Sequence, residues 1–189
     1  MFSEKLEALL PELRAYARLL CRDAVRADDL VQNACLKAWQ NREHYDPEKG
    51  PLRAWMFRIL RNDFYQQRRS DTRSETRDQD ELENELVADC NVEQRSNLSR
   101  MLRAVQSLKR VQRDAFLLVV AAGFTYEEAG EVLDCSAGTV KSRVSRARDM
   151  AIGRYHSEQP LPELPQRSSS PIDDLHEALN RIQLRYSAA

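Results

Sequence analysis

The chain has 189 residues, enough for one medium domain or two small ones, and its formal net charge is -1. That balance excludes a uniformly basic nucleic-acid binder, so any affinity for DNA must come from local patches. No apolar run is long enough to cross a bilayer and no basic-then-apolar leader with a small-residue cleavage site is present, so a cytoplasmic protein with no membrane insertion is expected. With only five glycines, no strand-like alternation and apolar residues recurring at three and four, the predicted class is all-α: two small helical domains joined by a flexible acidic linker.

The first predicted helix, or helical pair, runs from Phe2 to Arg22 on Leu6, Leu9, Leu10, Leu13, Tyr16, Ala17 and Leu20, with Pro11 either kinking it or starting a second piece. Asp28–Gln40 is a second amphipathic helix, with Leu30, Val31, Ala34, Cys35, Ala38 and Trp39 as its apolar stripe. Asp28, Asp29, Gln32, Asn33 and Lys37 lie largely off that stripe, and the two aspartates suit the positive end of the helix dipole. A turn carrying Pro47, Gly50 and Pro51 leads into Leu52–Arg69, which interleaves Trp55, Phe57, Phe64 and Tyr65 with Arg53, Arg58, Arg61, Arg68 and Arg69. Aromatic faces stack on unpaired bases and arginines follow phosphates, which is the chemistry single-stranded nucleic acid requires; the plainer reading is that the aromatics are core. Their spacing of four puts Trp55 and Ile59 in the core, while Asn62, Asp63 and the arginines are expected to be exposed.

Ser70–Glu93 loses its apolar period and turns acidic through Asp78, Asp80, Glu81, Glu83, Glu85 and Asp89, which reads as a solvated tether or, functionally, as a mimic of nucleic acid. Helix returns from Asn97 to Ala122, with Leu98, Met101, Leu102, Val105 and Leu108 on one face and Val111–Val120 as a further helix. Gly123–Met150 then has the layout of a helix-turn-helix. Thr125 and Glu128 form a capping box at the start of Tyr126–Leu133, whose buried face is Ala129, Val132 and Leu133. Gly130 carries no side chain where a second helix must cross, Asp134-Cys135 makes the turn, and Ser136 caps a helix with Val140 and Val144 inward. Lys141, Ser142, Arg143, Ser145 and Arg146 remain for the outer face, although a basic, solvated face on a plain helical hairpin is the competing reading.

Beyond this lies a Pro- and Ser-rich linker at Gln159–Pro171, then Ile172–Tyr186 with Leu175, Leu179, Ile182 and Tyr186 at helical spacing. So short a helix must dock to be stable and is otherwise a frayed appendage. Cys21, Cys35, Cys90 and Cys135 are scattered without a CxxC pair and His44, His156 and His176 lack neighbouring ligands, so buried reduced thiols, no metal and no cofactor are expected. No phosphate-cradling glycine loop, nucleophile elbow or paired histidine argues for an enzyme.

In order and separation, RADDLVQNACLKAWQ, PLRAWMFRILRNDFYQQRRS and GFTYEEAGEVLDCSAGTVKSRVSRAR resemble the two conserved domains of bacterial sigma factors of the extracytoplasmic-function type, over most of residues 5–155. The closing motif is most similar to the general-stress branch found in alphaproteobacteria. The resemblance implies a region 2 domain at 5–70, the acidic linker at 71–96, a region 4 domain at 97–155 and an appended tail at 156–189. It implies that Asp28, Asp29, Gln32 and Asn33 contact the β′ clamp of core RNA polymerase, whose β subunit is the further partner, although a carboxylate is common where Asn33 stands. Asn62 falls at the family's base-pocket position for the melted -10 element, with Trp55, Arg58, Arg61 and Asp63 around it. Lys141, Ser142, Arg143, Ser145 and Arg146 match the positions that read the -35 duplex, with a short hydroxyl at Ser145 where the family often has a larger residue. An anti-sigma partner and a monomeric free chain are further implications. The rival is a helix-turn-helix regulator with no polymerase contact, which would have no use for Asp28–Arg69.

Overall fold

The computed structural model describes residues 2–74 and 96–157. Among these residues the chain is all-helical: α1 (Phe2–Cys21), α2 (Ala24–Gln40), α3 (Leu52–Ser74), α4 (Ser96–Gln106), α5 (Arg110–Phe116), α6 (Tyr126–Leu133) and α7 (Ala137–His156). The acidic stretch after Ser74 and the carboxyl-terminal linker and helix fall outside the described residues, although α3 carries helix four residues into the segment expected to be linker.

Pro11 neither breaks α1 nor divides it. It cannot bond the carbonyl of Glu7, but it lies on the exposed side, where water can serve that group. Arg22 closes the helix at φ 55, a left-handed stop of the kind glycine usually provides, and its N–H reaches the Arg18 carbonyl at 2.9 Å. Then α2 starts a turn earlier than its apolar pattern suggests, because Asp23 caps it by accepting from the Arg26 N–H at 3.0 Å. Asp28 and Asp29 therefore stand in the second turn, and Asp23 has the place at the helix dipole.

In the amino-terminal half, α1, α2 and α3 bury Leu13, Tyr16, Ala17, Leu30, Ala34, Met56, Phe57 and Leu60 against one another. Each large apolar side chain so buried contributes about 1.5–3 kcal/mol. In the carboxyl-terminal half, α7 packs across α4, α5 and α6. Between α5 and α6 the chain makes one π-helical turn at Leu117–Ala121, widened by an extra residue, in which the Ala122 N–H reaches the Leu117 carbonyl at 2.9 Å. A left-handed Gly123 (φ 67) then turns Phe124 back so that its N–H meets the Leu118 carbonyl at 3.0 Å.

The two halves do not stand apart. The two small helical domains expected on either side of an acidic linker are there, and in addition α3 packs on α6 and a single apolar cluster runs through both halves. Phe124 sits edge-on to Phe57 with ring centroids 4.8 Å apart, and the Arg53 guanidinium lies 3.8 Å from the centre of the Phe124 ring. Propensity carries no information about such packing, since both faces also satisfy the pattern of a helix buried within its own half.

Candidate nucleic-acid interface

The helix-turn-helix forms as its residues dictate. The Thr125 hydroxyl accepts from the Glu128 N–H at 3.1 Å and the Glu128 carboxylate accepts from the Thr125 N–H at 2.9 Å, so two otherwise free donors are satisfied. Asp134 takes the left-handed position (φ 54) in the turn, and Ser136 caps α7 through the Thr139 N–H at 3.2 Å. Gly130 is indispensable for a reason one step from the expected one: a Cβ there would lie 2.6 Å from the Cys135 carbonyl, so the close approach is to the turn itself. Val140 and Val144 point inward, whereas Leu133 is only half-buried. Of the five candidate readers, Lys141, Ser145 and Arg146 are exposed. Ser142 and Arg143 are half-buried and locally engaged, the hydroxyl donating to the Thr139 carbonyl at 2.9 Å and the guanidinium to the Cys135 Sγ at 3.4 Å.

On α3 the outcome is different. Asn62 is exposed, as expected. Asp63 is buried, taking the Lys37 ammonium at 2.6 Å, because the helix turns it toward α2 instead of solvent. Arg61 is also withdrawn: its side chain is only 16% exposed and its Nε pairs with the Asp114 carboxylate at 2.8 Å. Arg58 is exposed but donates to the Glu131 carbonyl, and Arg53 donates both to Glu12 at 2.7 Å and to the Ala122 carbonyl. Trp55 and Ile59 are half-buried, short of full core positions; Trp55 stacks against Tyr45 with centroids 5.3 Å apart and meets Phe2 edge-on.

Along α2, Asp29, Gln32 and Asn33 form an exposed polar face, extended by the exposed apolar side chains of Val25 and Leu36. Asp28 is turned partly aside toward Arg14, 3.7 Å away. Cys21, Cys35 and Cys135 are half-buried, less enclosed than expected; burial raises the Cys35 thiol above its usual value, with Arg14 opposing the shift. Cys90 lies outside the described residues.

Asp114 escaped the sequence reading. It is fully buried on α5, with its two oxygens on Arg61 and on the Tyr65 hydroxyl at 2.5 Å. Desolvation, and then the Asp114 charge, push the Tyr65 phenol well above its ordinary value. The same two causes raise Tyr16, whose buried hydroxyl has no hydrogen-bond partner. A signal was present in RVQRDAFLLVV, where Asp114 shares a helical face with Val111, Ala115 and Leu118: a carboxylate on an apolar stripe demands a partner.

With this geometry in view, comparison with known proteins is decisive. The Sigma-70 region 2 family model matches residues 6–74 and the Sigma-70, region 4 model matches residues 98–150. The chain is 40% identical over 145 residues to the ECF RNA polymerase sigma factor EcfG of Rhodopseudomonas palustris, covering 75% of this chain and 77% of that protein. It is 31% identical over 155 residues to the ECF RNA polymerase sigma-E factor of Haemophilus influenzae, covering 71% and 78%. Among solved structures, the sigma factor RpoE in complex with the anti-sigma factor NepR from Bartonella quintana superposes at a TM-score of 0.67 and 38% identity, over 84% of this chain and 98% of that one. CnrH, solved with the cytosolic domain of CnrY, gives 0.62 and 25% identity over 84% and 89%. The chain belongs to the extracytoplasmic-function sigma factors of the sigma-70 superfamily, which are not enzymes.

Proposed function

We propose that this chain is a promoter-specificity subunit that docks on core RNA polymerase through the exposed α2 face at Asp29, Gln32 and Asn33, with Asp28 at its edge. In this reading the -10 strand is captured on α3 around Asn62, with Trp55, Arg58 and Arg61 beside it. The -35 duplex is read by α7 through Lys141, Ser145 and Arg146, with Ser142 and Arg143 shaping that face. Asp63 serves by holding α3 to Lys37 on α2, not by touching DNA. The observation that carries the reading is the coexistence, in one helical body, of an exposed basic recognition helix and an exposed polar face on α2. A regulator that only reads duplex would have no use for the second.

The division of labour is residues 5–70 for polymerase and the -10 strand, 71–96 as connector and 97–155 for the -35 duplex. RpoE of Bartonella quintana was solved with NepR and CnrH with a domain of CnrY, which supports an anti-sigma partner for this chain too. Similarity to EcfG and to the NepR-bound RpoE supports the alphaproteobacterial general-stress branch and a role in stress responses. No helix among the described residues is long and apolar enough to cross a membrane, and the work proposed belongs in the cytoplasm, by a free chain that is monomeric. The test is transcription in vitro on genomic templates with core polymerase and the purified chain, free of anti-sigma protein. Transcripts starting at discrete promoters are expected; a folded chain that yields none overturns the reading.

A further inference from the structure

Three arginines of α3 and the outer basic residues of α7 are held differently. Lys141, Ser145 and Arg146 on α7 face solvent, and so does the polar face of α2. On α3, by contrast, Arg53, Arg58 and Arg61 all bond to acceptors in the carboxyl-terminal half: the Ala122 carbonyl, the Glu131 carbonyl and the Asp114 carboxylate. The Asp114 contact is the most specific of these. Arg61 and Tyr65, one helical turn apart, converge on its two oxygens at 2.8 and 2.5 Å. A guanidinium and a hydroxyl closing on two oxygens of one anion is the arrangement by which side chains hold a nucleic-acid phosphate.

We propose that Asp114 is an internal anion occupying the phosphate place on Arg61 and Tyr65, so that the closed chain is open to duplex DNA and leaves Asn62 exposed, but holds back the phosphate-gripping face that Arg61 and Tyr65 would offer a strand. A single strand gains that face only by displacing Asp114 and parting α3 from α5 and α6. The inference rests on the proposed role of α3 in strand capture. Its physical basis is competition. Asp114 is tethered, so its effective concentration at Arg61 is high, and it is fully buried, so losing Arg61 would leave a desolvated charge unpaired. Parting the halves also exposes the Phe57–Phe124 contact, which adds an apolar cost to entry of the strand. The closed state therefore suppresses binding to stray single strands while the duplex-reading helix remains exposed.

The experiment uses the purified full-length chain without polymerase, an AT-rich fluorescent single strand and the duplex of the same sequence. Asp114→Asn keeps the shape and removes the charge. It is expected to tighten single-strand binding on the order of tenfold, within the range of one charge-assisted hydrogen bond, and to leave duplex affinity within about twofold. The salt dependence of single-strand binding should steepen by about 0.7, the slope for one added phosphate contact. Adding Arg61→Gln to Asp114→Asn should abolish the gain, which a general loosening of the fold would not do. Should Asp114→Asn fail to fold, small-angle scattering of the wild-type chain decides: saturating single strand should expand the protein and saturating duplex should not. The proposal is overturned if Asp114→Asn binds the strand no tighter, if duplex gains equally, if the gain survives Arg61→Gln, or if the wild-type chain stays compact with strand bound. Promoter-dependent transcription by the wild-type chain is read separately. If it succeeds while these measurements fail, only the latch is lost; if it fails while they succeed, the latch stands without the sigma reading.

Discussion

α7 and α3 are both long helices rich in arginine, and they use it in different ways. α7 buries one narrow stripe, Val140, Val144, Ala147 and Ala151, so Lys141, Ser145, Arg146 and Arg148 fall on the open side and are exposed. α3 is the central helix, with α1, α2 and α6 packed around it, and from Leu52 to Arg69 it leaves to water the strip of Arg58, Asn62, Gln66, Gln67 and Arg69. A charge on a helix enclosed in this way must find a partner or stay out of the fold. Arg61 finds Asp114, Asp63 finds Lys37, and Asn62, between them, keeps its access to solvent. The same residue type is thus left exposed on a peripheral helix and made a lock on a central one.

The contrast is broken most severely at Gly130. A side chain there collides with the Cys135 carbonyl at the turn, which is backbone and cannot swing aside. Gly130→Val should destabilise the carboxyl-terminal half by about 1–3 kcal/mol or more and abolish duplex binding, as followed by chemical denaturation and by binding to a promoter duplex. Next in size, Arg146→Ala should cost about 1–3 kcal/mol of duplex affinity at the -35 element with the fold unchanged. Asn62→Ala should spare duplex affinity and slow open-complex formation, measured by reactivity of unpaired bases in the polymerase complex. If both variants weaken the same step, the separation of duplex and strand roles between α7 and α3 is wrong.

What could be read from the sequence follows the same division. The helix-turn-helix was legible nearly residue by residue, because its signals are local: Thr125 with Glu128, a glycine at the approach, and Ser136 at a helix start. The α2 face was legible in part: Asp29, Gln32 and Asn33 are exposed opposite the apolar stripe, but Trp39, expected on that stripe, is exposed and Asp28 is half-buried. Where the sequence misled, a second surface decided the matter. Asp63 continues the apolar stripe of Met56, Leu60 and Phe64, a local signal of burial that went unread, but the partners that hold Asp63 and Arg61, Lys37 and Asp114, are 26 and 53 residues away. The wide turn at Leu117–Ala121 was equally hidden, because LLVVA fits an ordinary helix and the contact that follows it, Phe124 on Phe57, is made across the two halves.

A smaller effect sharpens the account of Asp63. Lys37→Met removes the ammonium and leaves a buried carboxylate with one oxygen already unpartnered, which should cost about 1–3 kcal/mol of stability in thermal or denaturant unfolding. Asp63→Asn in the same background should recover part of the loss, because the stranded charge is gone. If Asp63 instead contacted the -10 strand, Asp63→Asn alone would alter strand affinity at unchanged stability. That outcome would return the residue to the DNA interface.

The smallest effect near neutral pH is the titration of the phenols around Asp114. Burial and then the Asp114 charge raise both Tyr16 and Tyr65 above the usual value near 10. A phenol whose folded value exceeds its unfolded one contributes its stabilisation in full below about pH 10, and loses it as pH rises through the folded value. Stability should therefore be insensitive to these groups at neutral pH and fall in alkali. In a near-ultraviolet absorbance titration the two phenols should stay protonated until the chain opens, so that their ionisation coincides with loss of helix by circular dichroism. Tyr65→Phe should remove one of the late-titrating groups, and Asp114→Asn should shift both downward by taking away the charge that opposes phenolate. If Tyr65 ionises with the ordinary phenols in the wild-type chain while helix is intact, Asp114 does not face it in solution, and α3 is as free as α7.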